Sequence, residues 1–138
     1  MVGAVSGLCI RRFSCSCRLH GESELIPGML NLALHVGDAP AKVLRNRSRF
    51  ARTIGVQAGR FTTCAQVHGN KVAVVTEAEI GRGALDQTTT IADTDALVTN
   101  LANVPLLLFY ADCTPILLAD PATGTIGLAH AGWRGTAG

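Results

Sequence analysis

The sequence predicts an α+β or mixed α/β fold, and three observations carry that expectation. One stretch, Ala41 to Ile54, has helical periodicity: Val43, Leu44, Phe50, Ala51 and Ile54 share a face, while Arg45, Arg49 and Arg52 lie mostly off it. A series of short apolar runs, Ala96–Thr99, Pro105–Tyr110, Ile116–Ala119 and Thr125–Ala129, reads as strands. The segment Asp120-Pro-Ala-Thr-Gly124 between the last two is a turn signal and predicts a hairpin. The helix has Asp38 as expected N-cap, Pro40 in its first turn and Gly55 at its end. Weaker strand signals lie at Leu30–Val36, Arg60–Val67 and Lys71–Thr76, and Glu77–Asp93 reads as a loop. Runs apolar on both faces imply a sheet covered on both sides. One helix cannot supply two covering layers, and the chain stops where Gly132–Gly138 would open another. The expectation is therefore a single domain over residues 1–138, with 1–12 poorly defined, incomplete at its C-terminus and poorly stable alone.

Composition narrows the class. Hydrophobic residues make up 48% of the chain, enough for a packed core and too many for disorder. The net charge of +2 gives no basic stripe for a nucleic-acid partner. The longest apolar candidate, Val104 to Ala119, is interrupted by Tyr110, Asp112, Thr114 and Pro115, so no membrane span is expected. Five cysteines, an odd number at irregular spacing, read as free thiols in a reducing compartment, which places the protein in the cytoplasm. Arg11, Arg12 and Arg18 without an acid before Glu22 give a faint transit-segment signal that lacks a cleavage site.

Three polar residues sit at the ends of apolar runs: His68, Cys113 and His130. Loops at strand ends are where scaffolds present reactive groups, and glycine beside two of them lets a ligand approach. Two imidazoles and a thiolate suit zinc, and three protein ligands with one open position is the pattern of catalytic zinc. The alternative from residues alone is a set of unrelated core and turn residues. If they form a site, their donor atoms are expected within roughly 4 Å of one another before metal binds.

A family resemblance adds to this. Gln66-Val-His-Gly-Asn-Lys-Val72, Asp95-Ala-Leu-Val-Thr99, Ala111-Asp-Cys-Thr-Pro-Ile-Leu-Leu-Ala-Asp120 and His130-Ala-Gly-Trp-Arg-Gly135 occur in order, preceded by Leu30-Asn-Leu-Ala-Leu-His-Val-Gly-Asp38. Together they resemble the polyphenol oxidase or laccase-domain family, also described as purine nucleoside phosphorylases. The resemblance covers roughly residues 13–138. It implies an α+β fold of mixed β-sheets with flanking helices. It also implies that the family sequence continues beyond Gly138, and that His68, Cys113 and His130 are the metal ligands.

The implied reaction is phosphorolysis of adenosine, inosine or guanosine to base and ribose 1-phosphate, with adenosine deamination in some members. Zinc accounts for the second by lowering the pKa of water towards ~7. Arg18 aligns with a family arginine in a degraded match, since His20 and Glu22 replace a glycine and a valine. Arg18 or Arg134 would hold phosphate, Asn31 and His35 would line the substrate site, and Asp112 would orient a ligand or water beside Cys113. Cys9, Cys15, Cys17 and Cys64 read as inert, Trp133 as packing and Lys71 as a solvated strand residue. Three rivals stay open: a copper-binding polyphenol oxidase-type oxidoreductase, a metal-independent hydrolase with Cys113 as nucleophile, and an inactive fragment. A multicopper cluster needs many imidazoles, and the chain has four histidines. A homo-oligomer would hide the uncovered sheet.

Overall fold

The computed structural model describes residues 2–5, 11–16 and 18–137. Cys9 and Cys17 lie outside the described residues. The fold is α+β. A two-stranded antiparallel ribbon, β1 (Val2–Val5) with β2 (Arg11–Ser14), stands apart from a four-stranded mixed sheet. That sheet contains β3 (Val72–Val74), β4 (Ala96–Thr99), β5 (Thr114–Asp120) and β6 (Thr125–Ala131), in the spatial order β3-β4-β6-β5. β3 and β4 are parallel; β6 runs antiparallel to both of its neighbours, β4 and β5. Parallel neighbours need a long crossover. Here the crossover is the loop after β3, which contains short helical turns at Glu77–Glu79 and Gln87–Thr89 and ends at Asp95. The β5–β6 hairpin closes on the Asp120–Gly124 turn, where Asp120 accepts from Ala122 N–H and the Thr123 hydroxyl.

This topology places the starts of β3, β4 and β5 and the finish of β6 at one end of the sheet. Val72 pairs with Ala96, Ala96 with Ala129, and Thr114 with Ala131. His68, Asp95, Cys113 and His130 therefore come from four segments to one rim.

The helix α1 spans Pro40–Ile54 and ends on Gly55 in the left-handed region (φ 74), as its sequence predicts. Val43, Phe50 and Ala51 are buried, and Arg45, Arg49 and Arg52 are exposed. The helix packs into a core of Leu32, Phe50, Ala51, Phe61, Ala84 and Leu107. A second core, including Cys64, Val75, Ile91, Leu97 and Leu108, covers one face of the sheet with loop residues. Five residues, Trp133–Ala137, form a short helix α2 after β6.

Several expectations need correction. Asp38 is not the N-cap; Ala39 is, without a side-chain bond. One oxygen of Asp38 accepts from the N–H groups of Glu24, Leu25 and Ala39, and the other accepts from the Asn31 amide. Asp38 thus ties the 22–31 segment to the start of the helix. Leu30–Val36 forms turns rather than a strand, and Arg60–Val67 and Pro105–Tyr110 touch neighbours through isolated bridges, Thr62 to Leu106 and Cys64 to Ile91. The uncovered sheet is as expected: on β5, Ile116, Leu117 and Leu118 are 42%, 50% and 62% exposed.

The bonds to Asp38 hold its carboxyl below the usual carboxylate range, with Ser23 and Asn31 side chains the first causes. A depressed carboxyl contributes stability that is present above its unfolded pKa and disappears as pH falls through the folded one. Asp38→Asn is accordingly expected to unfold more readily than the parent at neutral pH. The difference should shrink as pH falls below about 4, which thermal melts across that range would read.

Candidate metal centre

The site begins with an acid to which the sequence assigns no role. Asp95, 2% exposed, closes the crossover just before β4. Its carboxylate accepts from the backbone N–H of Val67 (3.1 Å), His68 (2.9 Å) and Gly69 (2.8 Å), and its Oδ1 lies 2.9 Å from Nδ1 of His130. Its main-chain carbonyl takes the N–H of His130 at 2.7 Å. Burial raises its pKa, but the His130 ring and the three N–H groups outweigh burial, and the net direction is down. The turn it holds puts His68 at φ 61, a strained value for a residue with a side chain.

Around this brace the three expected residues converge. One donor atom from each of His68, Cys113 and His130 lies within 4.8 Å of the others. The imidazoles meet edge to face, with centroids 4.8 Å apart and planes at 76°. His130 is buried, Cys113 half-buried and His68 exposed, so the cluster opens to solvent on one side. The spread exceeds the roughly 4 Å expected. Zinc–nitrogen distances of about 2.0–2.1 Å and zinc–sulfur of about 2.3 Å require a tighter set, which rotation of exposed His68 and half-buried Cys113 can supply. Two imidazoles and a thiol fit zinc or copper alike.

Two glycines leave the space. A Cβ on Gly132 would stand 3.0 Å from Cδ2 of His68 and 3.5 Å from Sγ of Cys113. On Gly135 it would stand 2.2 Å from the Gly69 carbonyl oxygen, so the backbone itself would have to move. Gly135→Ala is therefore expected to push α2 off the His68 turn and to weaken zinc uptake more than Gly132→Ala, as read by chelator competition.

The other expected residues are dispersed. Arg18, His35 and Asp112 border a groove of about 1740 Å3 that also reaches the cluster, larger than the roughly 300–1000 Å3 of ordinary ligand pockets. Asn31 borders it too, but its amide donates to Ala33 O and Asp38, and its oxygen accepts from Ala33 N–H. It shapes the wall with every polar atom engaged. His35 lies edge-on to Phe109, 5.6 Å between centroids; partial burial and then the Arg47 guanidinium lower its pKa. Arg134 stands over the Trp133 ring at 5.3 Å, away from the groove lining, and Trp133 is 75% exposed rather than packed. Tyr110, not singled out in sequence, lies 5.6 Å from the His130 ring and donates its hydroxyl to Ala129 O.

The model of the family described as multi-copper polyphenol oxidoreductase laccase matches residues 12–138. The chain belongs to that family. Among its relatives, purine nucleoside phosphorylase YlmD of Geobacillus stearothermophilus is 43% identical over 136 residues, covering 99% of this chain and 47% of that protein. YlmD of Bacillus subtilis is 40% identical over 107 residues, 78% of this chain and 38% of that protein. The crystal structure of the Geobacillus protein superposes with a TM-score of 0.84 at 45% identity, over 88% of this chain and 45% of that one. That of Bacillus licheniformis hypothetical protein YfiH gives 0.82 at 37% identity, over 85% and 44%. The chain spans about half the length of these laccase-family relatives. No helix among the described residues is long and apolar enough to cross a membrane.

The thiols differ in kind. Burial, then the charge of Asp95, pushes the Cys64 thiol up to about 12, and it packs as a core residue, as its sequence context suggests. Iodoacetamide followed by peptide mapping is expected to modify Cys113 in metal-free protein, to slow after zinc is added, and to spare Cys64 until the chain unfolds. Equal Cys113 rates with and without zinc would count against a ligand role.

Proposed function

We propose that this chain carries the metal centre of a zinc-dependent, cytoplasmic purine nucleoside phosphorylase. The observation that carries the reading is the convergence of His68, Cys113 and His130 at one open rim of the sheet, beside a groove large enough for a nucleoside. Relatives that bear the name purine nucleoside phosphorylase support the substrate class. One ring nitrogen each of His68 and His130, with Cys113 Sγ, would hold the ion. When bound it supplies a Lewis acid at the groove wall. The protein's own groups do the rest. Asp95 keeps the His130 ring oriented, and Gly132 keeps the rim clear. Arg18, exposed and bordering the groove, is the better placed of the two arginines to take phosphate oxygens. Asp112, exposed next to Cys113 and bordering the groove, would orient an incoming hydroxyl or water. In phosphorolysis a phosphate oxygen forms the bond to C1′ as the C1′–N9 bond breaks, and the base leaves with the proton that the phosphate gives up.

Adenosine deamination is a second activity proposed for the same rim, because three donors with one side open is the arrangement of hydrolytic zinc centres. Copper suits the same donors, so loading with each metal belongs in the test. Zinc-loaded protein given inosine and phosphate is expected to release hypoxanthine and ribose 1-phosphate, and to release neither without phosphate. Oxygen uptake on a phenol by the copper-loaded protein, with no hypoxanthine from the zinc-loaded one, would reverse the assignment.

A further inference from the structure

We propose that Asp95 is the positioning residue of this centre: it holds the His130 ring directly and the backbone turn that carries His68, and makes no bond to Cys113. The inference rests on the metal reading above and goes further, because it assigns the donor atom of His130 and the residue that orients it. An ionised carboxylate only accepts hydrogen bonds. With three backbone N–H groups already on Asp95, the contact at 2.9 Å requires His130 to carry its proton on Nδ1. Nε2 is then the lone-pair nitrogen and the one free to bind a metal. The same carboxylate draws the N–H groups of three successive residues inward, which holds His68 at φ 61. One side chain therefore joins two ligands that are 62 residues apart in sequence (130 − 68). Cys113 is not among the groups that Asp95 holds, and it follows Asp112 on an exposed approach to β5. The donors lie within 4.8 Å of one another, so the side chains of exposed His68 and half-buried Cys113 move in on a His130 ring that is already held.

The test uses the whole chain with and without Zn2+. In the metal-free parent, 15N-edited NMR of the imidazoles is expected to show His130 as the Nδ1–H tautomer. Asp95→Asn, which offers one acceptor oxygen and an unwanted N–H2, is expected to lose that tautomer preference. It should bind Zn2+ about 10–100-fold more weakly in chelator competition, the range for loss of a partner behind a ligand, while Cys113→Ser keeps the tautomer and loses affinity. A merely structural Asp95 would change thermal stability without changing the tautomer. An Nε2–H tautomer in the parent overturns the proposal without any variant. So does Asp95→Asn protein that binds Zn2+ within twofold of the parent. Should the parent take up no Zn2+, the metal reading fails, and the metal-free tautomer comparison still decides whether Asp95 positions His130.

Discussion

Replacing Arg47 by leucine is expected to destabilise the chain by about 3–5 kcal/mol, since three carbonyl groups lose their donor at ~1–3 kcal/mol each with some relaxation. Arg47 is fully buried, on the face of α1 turned inward. Its Nε donates to Leu32 O at 2.7 Å, and Nη1 donates to Gly83 O and Ala84 O at 2.6 and 2.7 Å. The guanidinium lies 5.3 Å from the centre of the Phe109 ring. Burial lowers its pKa to about 10, which still leaves it charged at neutral pH. No carboxylate neutralises it among the described contacts. The peptide carbonyls of the 83–84 turn and Leu32 do that work, so this side chain pins the crossover loop to the helix. For a chain of this size the loss is roughly 10–17 °C in melting temperature. Arg45→Ala, which breaks the exposed pair with Glu22, is expected to change the melt little. If both variants melt alike, the carbonyls find water or other donors, and the buried cation is not what joins the two parts.

The second large effect lies at the metal centre. His68→Ala, Cys113→Ala and His130→Ala are each expected to lower zinc affinity and nucleoside cleavage together, by about 100-fold or more, beyond the loss that follows removal of a partner behind a ligand. The three should differ in stability. His130 is buried against Asp95, so its removal leaves a carboxylate oxygen short of a donor, whereas His68 is exposed and its removal should hardly affect the melt.

Much of this was legible in the sequence, and the rest was hidden for identifiable reasons. The β4 run, the hairpin about Asp120–Gly124 and α1 with its terminal Gly55 were readable because each is specified by neighbours in sequence. Arg60–Val67 and Pro105–Tyr110 have strand composition but no strand ladder. They lie against each other and against the crossover, where single bridges and the Gln66 amide do the pairing: it donates to Phe109 O and accepts from Phe109 N–H. Asp38 looked like a helix cap because caps are local; besides adjacent Ala39 its partners are Glu24, Leu25 and Asn31, which lie seven or more residues away. Arg47 broke the amphipathic pattern of α1, and only the tertiary structure shows which carbonyls it meets. At the site, His68, Cys113 and His130 stood out as reactive residue types at the ends of apolar runs. Asp95 gave the same signal, an acid directly before the Ala96–Thr99 run, but acids at strand starts are common, and its four partners come from two other segments.

The most direct measurement is zinc stoichiometry and affinity of the purified chain by chelator competition, beside the three single-ligand variants. The expected result is one zinc per chain, held by all three side chains, so that each variant weakens binding about 100-fold or more. A parent that binds no zinc, or a Cys113→Ala protein that binds it as tightly as the parent, would contradict the metal centre.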